Sequence, residues 1–377
     1  MNAKNFYLQI GAIQRNFVNL AFQIMYSRQF RKYLKLNGFP NRFAPGEDKY
    51  LDKWKVFGHN VEPYSYRLFS HYMEACPDIV PENIGRSYIE PVLNPEPMRA
   101  YYEDKNMFPF ICGRETVPET IIARMNGGVL LDGDLLPLKN ELKEYLKGHS
   151  RLILKPSVGS SSGRGVKLFI EENGDWFSKD DRAKLTNDLL MSYDKDFILQ
   201  VAVNQHKDMA VFNPSSVNTL RLAVYRSWKD EEPHVVASIM RVGKNGQFVD
   251  NAHAGGMFVG VDVATGQVGH TLFDQYGAGR TKWNGLDYSE ERFIPNWSDA
   301  KDFACEVARK ITHHRLLAMD ITINSDGKPQ LIEYNLRGFS YWLFMFTNQK
   351  PLGEYTDEII EYCKVHKNEA TRVNVMF

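Results

Sequence analysis

The period of the apolar positions changes along this chain. Over residues 1–80, Leu, Phe, Tyr and Ile recur at every third or fourth position, the signature of helices with a buried face. The segment "CPDIVPENIGRSYIEPVLNPEP" (76–97) interrupts that period with prolines and reads as an irregular lead-in. From residue 98 onward, short apolar runs alternate with helical patterns. "PMRAYYEDKNMF" predicts a helix, "FIC" a short strand, and "NELKEYLKG" a second helix. "RLILK" and "GVKLFI" predict strands flanking a Gly/Ser loop, "SKDDRAKLTNDLLMSY" a helix and "DFILQVAV" a strand. "NTLRLAVYRS", "HVVASIMRVG" and "MFVGVDV" predict antiparallel strands, and "SDAKDFACEVARKITHH" a helix. Antiparallel sheets carrying helices place the chain in the α+β class, with two lobes.

The clearest local signal is "MDITINSDGKPQLIEYN" (319–335), two apolar runs around Asp326-Gly327. Asp-Gly favours a two-residue type I′ turn, which needs positive φ at both central positions. That loop sets Ser325 opposite Lys328, Thr322 opposite Leu331, Ile321 opposite Ile332 and Asp320 opposite Glu333. It also leaves Pro329 at a non-hydrogen-bonded pair, where its missing N–H costs nothing. Asn335 shares the face of Glu333, so two carboxylates and an amide oxygen converge. Like charges opposite each other repel, so a cation is expected between them. An all-oxygen set suits Mg²⁺ or Mn²⁺ rather than zinc, and Mg²⁺ usually arrives with phosphates. A hairpin whose polar face is merely wet fits the same pattern.

Composition narrows the classes. At 377 residues the chain can bury a large core, and 43% hydrophobic with 13% aromatic residues describes a folded protein. Lys+Arg and Asp+Glu are both 46, which gives no global charge for nucleic acid. Four scattered cysteines, without paired spacing, fit a reducing cytoplasm. The stretch "LQIGAIQRNFVNLAFQIM" (8–25) is broken by polar residues and is not a spanning helix. With the basic "YSRQFRKYLK" behind it, it reads as a helix packed on the body or one lying on a membrane surface.

"RLILKPSVGSSSGRGVKLFI" puts Lys155 at the end of an apolar strand, ahead of Gly159, Gly163 and Gly165. Such a loop frees backbone N–H groups to approach oxyanions, and Ser157, Ser160, Ser161 and Ser162 add donors. A Walker A loop needs its Lys after the glycines and opening a helix. Here the Lys precedes and a strand follows, as in a hairpin flap closing over nucleotide phosphates or, equally, a plain surface hairpin.

Together these blocks resemble the ATP-grasp superfamily over roughly residues 98–365. The resemblance implies a fold of two α+β lobes gripping ATP, preceded by a helical N-terminal extension. The implied division is 1–97 for the extension and lead-in, 98–198 for the small nucleotide lobe with its flap, and 199–377 for the large lobe with hinge, metal site and acceptor pocket. Lys155 in "ILKP" and Lys105 in "YEDKNMFPFICGRETVPET" match the family's two nucleotide lysines. "DFILQVAV" resembles the hinge strand, which brings Gln200 (Glu in the family pattern), Val201, Val203 and then Asp208 to the nucleotide. Asp320, Glu333 and Asn335 match the closing metal triad. The implied cofactors are ATP and Mg²⁺, with Mn²⁺ as an alternative.

"SSVNTLRLAVYR", "RVGKNGQFVDNAHAGGMFVGVD" and "YIEPVLNP" resemble the sugar-transfer-associated branch, which is similar to α-L-glutamate ligases of surface-polysaccharide clusters. The resemblance implies a cytoplasmic ligase joining a small-molecule carboxylate to an amine (or a thiol) through an acyl phosphate, with amino acids and uronic-acid sugars as candidate substrates and the identity of the two partners left open. Arg221 and Arg337 are the candidates to stabilise that phosphate; a salt-bridged sheet arginine reads the same way as Arg221. Asn218, Asp250, Asn251, His253, Gly255 and Gly256 are substrate candidates. The aromatic run of "NLRGFSYWLFMF" suggests a large apolar acceptor pocket. A kinase on the same scaffold and a non-catalytic nucleotide-binding regulator remain alternatives, and the oligomeric state is left open.

Overall fold

The computed structural model describes residues 3–58, 60–159, 163–194, 196–248, 250, 252 and 255–367. Two antiparallel sheets dominate it. The smaller has the order β2-β1-β6-β3-β4-β5. Its strands are β1 Thr120–Arg124, β2 Leu131–Asp132, β3 Arg151–Pro156, β4 Lys167–Glu172, β5 Asp175–Ser178 and β6 Phe197–Val201. The larger is built from β7 Leu220–Arg226, β8 Pro233–Val242, β9 Met257–Val261, β10 Val268–Phe273 and β11 Gly279–Arg280. A small hairpin, β12 Lys282–Trp283 with β13 Leu286–Asp287, precedes the last two large-sheet strands, β14 Leu316–Ile323 and β15 Pro329–Asn335. The large sheet runs β11-β10-β9-β8-β7-β14-β15.

Both faces of the large sheet are buried, and strand parity sorts its side chains between them. Leu220, Leu222 and Val224 of β7, with Leu317, Met319 and Ile321 of β14, face one cluster, shared with the helix Trp297–Lys310. Tyr102, Phe108 and Cys112, from the helices at 99–112, join that cluster too, although the boundary expected at 98 groups them with the small lobe. Ala223, Tyr225, Leu316 and Ala318 face the opposite cluster. That one is filled by α1 (Ala3–Leu36), the short helices up to Leu93, and the C-terminal helices Tyr341–Phe346 and Thr356–His366. The N-terminal helices are therefore the second cover of this sheet. A third cluster, including Leu152, Leu154, Phe169 and Leu199, sits on the small sheet.

Several expectations change. "FIC" lies in the helix Phe108–Cys112, because tertiary packing of Phe108 and Cys112 overrides a short β-like run. Of the helix expected over 178–193, only Asn187–Ser192 forms, started by Thr186, whose hydroxyl accepts the Leu189 N–H at 3.2 Å. The lead-in at 76–97 is irregular only toward its ends: from Glu82 to Leu93 it coils into consecutive helical turns. The aromatic run after Asn335 is core, not an acceptor pocket. All of Tyr341–Phe346 is buried, and Phe346 packs against Phe69 and Tyr72.

The 316–335 hairpin differs at its turn but not at its site. Its loop has three residues: Asn324 N–H donates to Lys328 O at 2.9 Å, and Gly327 adopts φ 78°. Asn324 Oδ1 accepts the N–H groups of Asp326 and Lys328, at 3.1 and 2.9 Å. This side-chain turn, with glycine at the left-handed position, outcompetes the two-residue loop. The register near the turn is accordingly shifted, with Ile321 opposite Leu331 and Thr322 opposite Gln330. An irregularity between Ile321 and Asp320 absorbs the extra residue, Ile332, and restores Asp320 opposite Glu333.

Candidate functional site

Parity also explains where the polar residues collect. On the face that holds the aromatic core, β7 continues from Tyr225 and Ala223 to Arg221, β14 from Ala318 to Asp320, and β8 from Ala237 and Ile239 to Arg241. Apolar rows thus end and a charged row begins, running Glu333–Asp320–Arg221 across three neighbouring strands. A cavity lies over this row. Its large-sheet lining includes Thr219, Arg241, Asp320, Ile332 and Glu333; its small-sheet lining includes Ile153, Lys155, Gly163, Val166, Gln200 and Val201. The strand irregularity at Ile332 turns both Ile332 and Glu333 toward it.

Each carboxylate has side-chain cations of its own. Arg221 grips the buried Asp320 with two hydrogen bonds, Nε to Oδ1 at 2.8 Å and Nη2 to Oδ2 at 2.7 Å. Arg241 Nη1 adds a third, to Oδ2 at 3.1 Å. Burial acts to raise the Asp320 carboxyl, but the two guanidiniums outweigh it and hold it below the usual carboxylate range. Glu333 Oε2 pairs with Lys105 Nζ at 3.2 Å.

Lys105 reaches the row from a segment clamped to the small sheet. Its N–H donates to Ser157 O at 3.0 Å, Asp104 Oδ1 caps the turn through Asn106 N–H at 3.0 Å, and the Asn106 amide donates to Phe197 O at 3.4 Å. Lys155 closes β3 and is buried. Burial first, then the neighbouring Lys105 charge, push its ammonium down to about 7 against the opposing pull of Glu333. The loop behind it places Gly159, Gly163 and Gly165 at φ 64°, 72° and 77°, as a glycine-rich flap requires. Gly163 lines the cavity, while Gly165 O accepts the Tyr193 hydroxyl at 2.6 Å.

The remaining candidates divide. Gln200 and Val203 line the cavity; Gln200 Nε2 donates to Pro118 O at 2.9 Å, and Val201 N–H to Glu119 O at 2.9 Å. The Val203 N–H has no hydrogen-bond acceptor among the described residues. Asp250 also lines the cavity and accepts Thr219 N–H at 2.9 Å and the Thr219 hydroxyl. Ser157 is buried below the flap, its N–H donating to Asp196 O at 3.0 Å. Asn218 is structural: its amide donates to Met209 O at 2.8 Å and Asn213 O at 3.0 Å. Asp208 sits exposed on a short helix beside His206, and Arg337 is held by Glu96 at 3.1 Å; neither lines the cavity. Gly255 and Gly256 do not line it either. Ser160, Ser161, Ser162, Asn251 and His253 lie outside the described residues.

Arg221 is committed to Asp320, so the arginine that lines the cavity is Arg241, which the sequence did not single out. Its signal was parity with Arg221 on the next strand. That parity is readable only with the β7–β8 register, which the long "SWKDEEP" connection does not fix.

The donor set fits Mg²⁺ rather than a softer metal. No group of three or more His, Cys, Asp or Glu that could hold a metal occurs among the described residues, so two carboxylates and the Asn335 oxygen would share it with waters or phosphates. Asp320 Oδ2 accepts two bonds from the guanidiniums and Oδ1 one.

The sequence profile described as sugar-transfer associated ATP-grasp matches residues 85–360. Similar solved structures include the ATP-grasp ligase PsnB complexed with a phosphomimetic variant of its minimal precursor, Mg and ADP. PsnB is 12% identical at a TM-score of 0.36, over 71% of this chain and 60% of that one. D-cycloserine synthetase DcsG is 10% identical at a TM-score of 0.38, over 72% and 73%. The D-alanine-D-alanine ligase from Coxiella burnetii is 11% identical at a TM-score of 0.38, over 72% and 59%. The matched part spans about three fifths of the PsnB and D-alanine ligase chains. Comparison with curated proteins finds no match.

Proposed function

The chain belongs to the sugar-transfer associated ATP-grasp family, and from that premise we propose that it is an ADP-forming carboxylate–amine ligase acting in polysaccharide or glycoconjugate modification. The observation that carries this reading is the composition of one cavity. It joins the apolar side chains of Ile153, Val166, Val201, Val203 and Ile332 to Lys155, Arg241 and the Asp320–Glu333 pair. An adenine ring needs the first kind of wall and a triphosphate the second.

In this reading the apolar strand residues hold the base, and the Val203 N–H donates to it. Lys155 and Lys105 neutralise the phosphates, and Gly163 brings flap backbone against them. Asp320, Glu333 and Asn335 would hold Mg²⁺, which when bound neutralises phosphate charge. A substrate carboxylate oxygen attacks the γ-phosphorus, the bond to the β-phosphate oxygen breaks, and ADP leaves. The amine then attacks the acyl carbon, loses a proton, and expels phosphate to leave an amide. Arg241, held in place by Asp320, faces the transferring group and offsets the charge that develops there.

The test supplies Mg·ATP with mixtures of uronic acids and amino acids, with hydroxylamine as a trap, and reads products by mass. ADP, phosphate and a hydroxamate are expected. AMP with pyrophosphate, or a stable phosphorylated product formed without an amine, would overturn the ligase reading in favour of adenylation or a kinase.

A further inference from the structure

The helix α1 has two apolar faces, and the body covers one. Asn19, Tyr26, Phe30, Tyr33 and Leu34 are buried, and Asn83 Nδ2 fixes the helix through Asn19 Oδ1 at 2.8 Å. On the opposite side Ile13, Phe17, Leu20 and Ile24 follow one another at helical spacing and are exposed, Ile13 at 69% and Phe17 at 72%. A helix apolar all round is normally enclosed, and a contiguous exposed apolar stripe marks an interaction surface. The same spacing continues from Ile24 to Arg28, Arg31 and Lys35, all exposed. Arg31 is partly tied down by Ser27 O at 3.1 Å and the Tyr64 ring. Arg28 and Lys35 form no ion pair among the described residues. No Asp or Glu occurs anywhere between Ala3 and Leu36.

We propose that this outward face of α1 seats the protein on an anionic lipid surface, with Ile13, Phe17, Leu20 and Ile24 entering the acyl–headgroup boundary and Arg28, Arg31 and Lys35 meeting lipid phosphates. The apolar stripe is about 16 Å long at 1.5 Å per residue, long enough to lie in the interface but not to cross it. No described helix is long and apolar enough to cross a membrane. A second copy of the chain is a poorer occupant. Paired in parallel, the two basic segments would face each other; paired antiparallel over the stripe, Arg28 and Lys35 would fall opposite the partner's N-terminal segment, which carries no Asp or Glu to pair with them.

The experiment is co-sedimentation of the full chain with vesicles of phosphatidylcholine, alone or with a third phosphatidylglycerol. Wild type should pellet with the anionic vesicles and be released by salt. Arg28→Gln/Lys35→Gln should weaken that partition by roughly 30-fold, and Phe17→Ser/Leu20→Ser by ~100-fold. All four side chains are exposed, so thermal melts of both variants should match wild type. Binding equal to wild type in either folded variant, or no wild-type binding to anionic vesicles, overturns the proposal. So does a wild-type dimer that Phe17→Ser/Leu20→Ser dissociates without any vesicle binding. Loss of ligase activity in solution is not a readout here, so failure of this proposal leaves the catalytic one standing.

Discussion

Replacing Lys155 by Met should stabilise the free protein while abolishing its response to nucleotide. The methionine keeps the apolar stem that packs at the end of β3 and removes a buried ammonium. That ammonium falls from an ordinary pKa of 10.5 to about 7 on folding. At about 1.4 kcal/mol per pKa unit, having the lysine there costs on the order of 4 kcal/mol at pH 7. The sign follows from proton counting. Between pH 7 and 10.5 the unfolded chain holds the proton that the folded chain has shed, so wild-type stability rises with pH across that window. Below pH 7 both states are protonated and the penalty is complete. Urea denaturation at a series of pH values should therefore show Lys155→Met more stable at neutral pH, with the gap closing as pH 10 is approached. Mg·ATP should raise the melting temperature of wild type and leave the variant unmoved. Wild type should also take up most of a proton on binding ATP at pH 8, because phosphates restore the charge; calorimetry in buffers of different ionisation enthalpy reads this. A variant less stable than wild type, with a gap that does not change with pH, would refute the buried-lysine argument.

Glu333→Gln is the clean test of the carboxylate pair, and should lose turnover while melting within a few degrees of wild type. Asp320→Asn should lose turnover and also stability, by about 3–5 kcal/mol, because two guanidiniums lose their buried counter-charge; denaturation curves separate the two variants. Arg221→Met should unfold more readily by a similar amount, whereas Arg241→Met should fold normally and lower kcat by ~10²–10³-fold with little change in ATP affinity; a normal kcat there would make Arg241 a mere support for Asp320. Lys167→Ala should change ATP binding little, since Lys167 pairs with Asp181 at 2.7 Å and does not line the cavity, and nucleotide titration against Lys155→Met measures the contrast.

Spacing within one hairpin was enough to set Asp320 opposite Glu333, whereas Asn335 lies opposite Ala318 and outside the cavity lining. A lysine before a glycine-rich loop was enough to point to Lys155, which lines the same cavity as that pair, because both signals depend on residues close in sequence. Even there the turn departs from the two-residue loop that Asp-Gly favours. Asn324 closes a three-residue loop and Ile332 is extruded, so two local shifts cancel at the pair that matters. The periods of the apolar residues were enough for the α+β class. The sequence could not distinguish Arg221 from Arg241. Which arginine is spent on Asp320 and which faces the cavity depends on the register of strands joined by a long connection. Nor could it tell that the aromatic run at 341–346 is core, since an apolar stretch looks the same whether it lines a pocket or meets α1 across a sheet. What covers each face of the large sheet, and which face of α1 is left uncovered, is decided by contacts between residues hundreds of positions apart, whose pairing no local period encodes.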